Sequence, residues 1–308
     1  MTIAISIKIN DGLVLATDSA STLLAILPSS TSGNSQPKVF NVYNNADKLF
    51  NLQKGLPIGA ITWGAGSIGQ ASISTIMKDL RKIFTDGDED DHPGWKLDKK
   101  AYTVQGVAEK LKEFVFDGLY ATEFTDSSRP KPDLGFIVAG YSAHAPMADE
   151  FVVDIKNGIC TGPNPVRQQD QIGMTWGGQS EPLNRLVAGV GMGLPKLLQA
   201  AFRLSPEQVA PVIQNIQMSL QVPLVVPAMP LQDAIDLADF LVDLTIKFSR
   251  FMPGAPTVGG PVEIAAISKH EGFRWIKRKY YFDSKLNPEE IFRRVYEPTN
   301  KENPIATD

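Results

Sequence analysis

The chain is poor in the residues that make metal and redox chemistry easy. One cysteine, Cys160, and three histidines, His92, His144 and His270, are spread over 308 residues. A lone thiol excludes an internal disulfide framework and suits a reducing compartment. No Cys/His spacing matches a zinc site. No apolar run approaches the ~20 residues of a membrane-spanning helix, and the first strand-like residues alternate instead of forming the solid apolar block of a secretion signal. Cationic excess is absent too: 30 Lys+Arg against 34 Asp+Glu give a net charge of −4 and a pI of about 5.5. That balance leaves no footprint for nucleic acid or for an anionic membrane. These absences predict a cytoplasmic, soluble protein with no cofactor, no metal, no nucleic acid and no membrane partner.

What is present is a chain 43% apolar, enough for one large core. Residues 2–9 and 12–19 alternate around Asn10-Asp11-Gly12 and predict a β-hairpin. Residues 22–46 are mixed and carry the polar tract Ser29–Pro37, read as an exposed loop. A second hairpin is predicted over Lys48–Gln53 and Ile58–Trp63, then helices over Ser67–Phe84 and Tyr102–Tyr120. Strands follow at Gly135–Tyr141, Glu150–Lys156 and Gln171–Trp176, with helical patterns near Pro182–Val190, over 195–221 and over Leu231–Phe251. Two last strands, Pro261–Ser268 and Phe273–Lys279, precede a charged tail. Hairpin-joined strands argue antiparallel sheets, and the helices must cover their faces. The predicted fold class is therefore α+β, a four-layer αββα sandwich of two antiparallel sheets.

The residue after the initiator carries the chemistry. Methionine ahead of a small residue is normally trimmed, which would leave Thr2 with a free α-amine beside its own hydroxyl. An α-amine titrates near ~7.7–8.0, so at neutral pH it serves as base for that hydroxyl.

A set of segments in order extends this reading: Thr2 at the head of a strand, Asp11-Gly-Leu-Val-Leu-Ala-Thr-Asp18-Ser19, Asp47-Lys48-Leu49, and Trp63-Gly64 before a helix. Gly135-Phe-Ile-Val-Ala-Gly140-Tyr141 and Gly259-Gly260-Pro-Val-Glu-Ile complete it. In this the chain resembles the proteasome β-subunit-like N-terminal-nucleophile hydrolases and their bacterial-type relatives, over roughly residues 2–84 and 133–280. The resemblance implies an Ntn-hydrolase domain over 2–280 with insertions near 23–46, 85–100 and 200–230, and a charged C-terminal extension over 281–308. It implies a catalytic set of Thr2, Asp18, Lys48 and Gly64: nucleophile and base, the aspartate that pairs with the lysine, the lysine beside the nucleophile, and a backbone N–H for the oxyanion. Thr22, Ala46, Phe50 and Gly66 match positions lining the substrate strand and its first side-chain pocket, with Phe50 giving an apolar specificity. It further implies a peptide or protein substrate and a homo-oligomer built as a ring or stacked assembly; whether an ATPase partner serves it stays open.

The chain departs from the family just before Gly259-Gly260. Where the family carries an aspartate and a serine, Ala255 and Val258 stand, leaving Thr257 and Ser180 as the hydroxyls available for support. That departure keeps alternatives open: a catalytically weak or inactive self-assembling subunit, or a small-molecule amidase of the same nucleophile type. A further alternative reads Gly64-Ala-Gly66-Ser-Ile-Gly69 as a dinucleotide-binding fingerprint after a strand. Ala65-Gly66-Ser67-Ile68-Gly69 lacks the first glycine of a nucleophile elbow. Asp86, Asp88 and Asp90 mimic a calcium loop, but Asp91 stands where glycine is required.

Overall fold

The computed structural model describes residues 2–26, 37–126 and 130–281. In chain order its strands are β1 (Ile3–Ile9), β2 (Gly12–Thr17), β3 (Ser21–Ile26), β4 (Pro37–Tyr43), β5 (Leu49–Asn51), β6 (Ile58–Gly64), β7 (Ser67–Ile68), β8 (Ala71–Ser72), β9 (Leu134–Gly140), β10 (Asp149–Lys156), β11 (Ile159–Pro165), β12 (Gly173–Gly178), β13 (Glu263–Ser268) and β14 (Gly272–Lys277). The helices are α1 (Ile73–Asp86), α2 (Val104–Lys112), α3 (Ala121–Glu123), α4 (Glu181–Leu186), α5 (Leu194–Phe202), α6 (Pro206–Leu220) and α7 (Leu231–Phe251), with a π-helical stretch over Glu113–Tyr120 joining α2 to α3.

Alternation along β1 decides what each residue meets. All seven of its residues are buried. Ile3, Ile5, Ile7 and Ile9 pack with Ala234, Ile235, Ala238, Leu241 and Val242 of α7. Ala4, on the opposite face, packs with Leu13 and Leu15 of β2 and with Leu49, Ile61, Ile137 and Ala139. Ala234 and Ala238, one turn apart, let the ~32 Å axis of α7 lie close on the strands.

One five-stranded antiparallel sheet runs β12-β1-β2-β13-β14, the other β11-β10-β9-β6-β5. Both follow the period-two rule. Ile264 and Ala266 of β13 join the α7 side, whereas Ala265 and Ile267 join the residues shared with the second sheet. In β9, Leu134, Phe136 and Val138 pack under α1 and α2, whereas Ile137 and Ala139 face the first sheet's residues. The structure is thus a mixed α/β arrangement with several antiparallel sheets, and its core falls into three apolar clusters.

Several local expectations are corrected. Residues 67–72 form the β7-β8 ribbon rather than the first turns of a helix: Ile73 N–H donates to Gly66 O (3.0 Å), and Ser72 Oγ caps α1 by accepting from Thr75 N–H (3.1 Å). Within 22–46 a second ribbon, β3-β4, was not expected. Residues 195–221 make two helices, parted at Arg203, whose φ of 54° a helix does not hold. Strand β11 was also not foreseen, since its Gly-Pro-Asn-Pro run reads as loop. The tract at 29–36 and the tail from Leu286 lie outside the described residues.

Chain contacts divide the protein into Met1–Arg278 and Lys279–Asp308. Of the second unit, residues 279–281 are described and belong to no helix or strand. Among the described residues, no helix is long and apolar enough to cross a membrane.

Candidate active site

Asp18 directly follows β2 and is completely buried. Its Oδ1 accepts from Lys48 Nζ at 2.8 Å and from Ile3 N–H at 3.1 Å; its Oδ2 accepts from Ala20 N–H and Gly259 N–H, each at 3.0 Å. An ionised carboxylate offers about four acceptor positions, so Asp18 has none to spare. Lys48, just before β5, has a side chain only 7% exposed, which makes this a buried, charge-assisted pair.

Thr2, Lys48 and Gly64 line one cavity of about 60 Å³, together with Thr22, Ala46 and Gly66. Ser21, Asp47 and Thr62 complete much of its wall; none of the three was given a site role from the sequence. Asp47 is held from outside, accepting from Ser74 Oγ at 2.8 Å. A second, larger cavity of about 700 Å³ also meets Thr2 and is walled by Trp63, Ile137, Val152, Asp154 and Trp176. Thr2, Trp63 and Gly64 are common to both.

Backbone geometry sets the position of Thr2. Its carbonyl accepts from Gln179 N–H at 2.6 Å, and Ile3 pairs with Gly178 across β1 and β12. Gly178 has a φ of 91°, and a Cβ there would collide with the Thr2 carbonyl. Only glycine lets β12 approach this closely.

Gly64 ends β6. Two residues earlier, Thr62 N–H donates to Lys48 O (3.0 Å), and on the other edge Ala65 N–H donates to Asp133 O (2.9 Å). Alternation turns Gly64 N–H to the Lys48 edge, past the end of the short β5 and beside the cavity that Gly64 lines.

Other sequence-derived site residues fall elsewhere. Phe50 is not among the described residues lining either cavity. Its ring is buried with α1 and α2, on the face of β5 opposite Leu49, so period-two alternation removes it from the pocket. Thr257 is buried but lines neither cavity. Its neighbour Val258 belongs to the α7 cluster. Ser180 lines the larger cavity and donates to Gly178 O at 3.2 Å. The segment after Thr257 contributes differently from expectation: Gly259 N–H supports Asp18, and Pro261 O accepts from Ser19 Oγ at 2.7 Å.

The dinucleotide alternative fails on topology. That fingerprint requires a parallel β-α-β unit with its glycines opening the helix. Here β6 pairs antiparallel with both neighbours, and the β7-β8 ribbon separates Gly64 from α1. Among the described residues no group of three or more His, Cys, Asp or Glu is arranged to hold a metal.

No family model matches the chain, and no curated protein does. Among solved structures, it is similar to Anbu (ancestral beta-subunit) from Yersinia bercovieri, at 13% identity over 91% of this chain and 88% of that one, with a TM-score of 0.44. It is also similar to the Anbu complex from Pseudomonas aeruginosa, solved as a helical assembly, at 15% identity over 92% and 89%, with a TM-score of 0.48. The comparisons assign the chain to no family. The resemblance to proteasome β-subunit-like N-terminal-nucleophile hydrolases is thereby corrected, because no family model or curated protein supports it and these structural likenesses are too distant to carry membership.

Proposed function

We propose that the chain is an N-terminal-threonine hydrolase of amide bonds, active once the Met1–Thr2 bond is cut. The observation that carries this reading is the saturated Asp18–Lys48 pair, set in the wall of a cavity that Thr2 also lines. On this reading the freed α-amine takes the Thr2 hydroxyl proton while Oγ bonds to the substrate carbonyl carbon. The carbonyl oxygen gains charge opposite Gly64 N–H. The ammonium then returns the proton to the leaving nitrogen as the C–N bond breaks, and water hydrolyses the remaining ester by the same proton route. Proton transfer of this kind contributes ~10²–10⁴-fold, and one oriented oxyanion donor ~10²–10³-fold. Lys48 supplies fixed positive charge that favours the alkoxide and the unprotonated amine. Asp18 is a positioning residue that holds it.

The finer architecture belongs to the same proposal. The three apolar clusters support a four-layer αββα order, with the reactive end of β1 at the edge between the two sheets. The substrate on this reading is a peptide or protein.

A second reading, a self-assembling subunit without turnover, draws on Thr257 lining neither cavity and on exposed apolar side chains such as Phe202 and Met218. Intact mass before and after treatment with a peptide epoxyketone separates the two. The hydrolase gives protein lacking Met1 that gains one adduct, and Thr2→Ala gains none. Trimmed, folded wild-type protein that stays unlabelled overturns the hydrolase.

A further inference from the structure

We infer that a third cavity, separate from Thr2, is a binding site for a small monocarboxylate with an apolar body. This cavity, of about 450 Å³, lies between β12, the end of α4 and the segment following α6. Its volume falls within the ~300–1,000 Å³ typical of small-molecule sites. The inference does not depend on the hydrolase reading.

Arg167 and Asn184 bring donors to this cavity, and the amides of Gln217 and Gln221 line it as well. Arg167 reaches the cavity with a side chain only 10% exposed. Its Nε lies 2.6 Å from Glu150 Oε2, an ion pair in which neither atom has hydrogen-bonding alignment. Its terminal nitrogens take no acceptor among the described residues. Gly173 keeps the space beside Nη1 open, because a Cβ there would strike it. Asn184 also lines the cavity, and its orientation is fixed: Trp176 Nε1–H can only donate, so Asn184 Oδ1 is the acceptor at 3.1 Å. The Asn184 Nδ2 donor is left for a ligand. A guanidinium and an amide N–H lining one cavity match a planar acceptor with two oxygens.

The charge disfavours a doubly charged ligand. Glu150 is already ion-paired with the guanidinium through Nε, and Asp149 and Asp170 lie in the same charge cluster with Lys8. A phosphate dianion would meet those carboxylates with twice the charge of a monocarboxylate. The rest of the wall sets the other end of the ligand. Met174, Trp176, Val187, Leu224 and Val225 offer apolar surface, suited to a short alkyl or aryl chain.

Octanoate is the probe, with octanamide as its uncharged match, each titrated calorimetrically into the full chain. Octanoate is expected to bind saturably at one site and octanamide at least tenfold more weakly. Arg167→Gln should weaken octanoate about tenfold and leave octanamide unchanged. Because that variant strips Glu150 of its partner, Ala188→Trp serves as the second: Ala188 lines the cavity, and the indole fills it, so octanoate binding is lost while the melting temperature holds. Equal binding of octanoate and octanamide overturns the inference, as does octanoate binding that Ala188→Trp leaves intact. Absence of saturable octanoate binding at millimolar concentration overturns it too.

Discussion

Two buried ionic clusters in this protein are built on opposite terms. At Asp18 every acceptor position is filled, by Lys48 and three backbone N–H groups. At Glu150 one oxygen is well used, accepting from Ser6 Oγ at 2.6 Å, while the other faces Arg167 out of alignment. A buried charge is costly unless its hydrogen bonds are complete. The first cluster meets that condition alone and so holds a fixed geometry. The second leaves donors over at the edge of a cavity, which is what a ligand site needs and a structural pair does not.

The largest expected effect breaks this contrast directly. Lys48→Ala leaves Asp18 as an uncompensated buried carboxylate and should cost about 3–5 kcal/mol in chemical denaturation. Replacing both partners tells the clusters apart. Glu150→Met with Arg167→Met should cost about 1–3 kcal/mol, because apolar replacement of the pair itself is often near neutral and a single buried donor, Ser6 Oγ–H, loses its acceptor. Asp18→Leu with Lys48→Met should remain at least about 3 kcal/mol down, because three backbone N–H groups lose their acceptor at ~1–3 kcal/mol each. Equal losses from the two double variants would erase the distinction.

An intermediate effect sharpens it. The Trp63 indole lies against Gly177, and a Cβ at Gly177 would come within 2.5 Å of that ring. Gly177→Ala should therefore cost about 1–3 kcal/mol through overpacking. Since Trp63 walls both cavities at Thr2, labelling of Thr2 should slow, whereas octanoate binding at Arg167 should not change.

The smallest effect is read in pH. Lys8 is 1% exposed, and burial pulls its pKa below the ordinary 10.5 although Glu150 and Asp149 pull upward. The unfolded chain then binds more protons than the folded one between the lowered value and 10.5. Stability from this residue rises with pH across that window. Lys8→Met should remove that rise in urea midpoints measured from pH 8 to 10.5; an unchanged slope would show that Lys8 does not produce it.

How much was legible depended on whether the signal was local. The β1-β2 hairpin could be read from Asn10-Asp11-Gly12 and its alternating flanks, and α7 from an uninterrupted helical period over Leu231–Phe251. Ribbon β3-β4 could not: Val39, Phe40 and Tyr43 are exposed, so no one-sided alternation marks them. At the site, Asp18 and Lys48 could be named as partners, and they do meet. Phe50 was misplaced because three residues of strand give too little pattern to fix a face. Gly259 N–H on Asp18 and the approach of Gly178 to Thr2 join positions 241 and 176 residues apart, and no local rule reports such contacts. The Arg167 cavity was likewise invisible, since its walls come from separate stretches of the chain.

The four donors on Asp18 come from four separate stretches: the head of β1, the turn after β2, the approach to β5 and the loop before β13. Those stretches run from Ile3 to Gly259 of the larger unit, which ends at Arg278. A nascent chain that has not yet reached Gly259 would have Thr2 and Lys48 already synthesised but only three of the four donors on Asp18. The hydrogen bonding of Asp18 is therefore complete only once synthesis has passed Gly259, a delay written into the order of the segments.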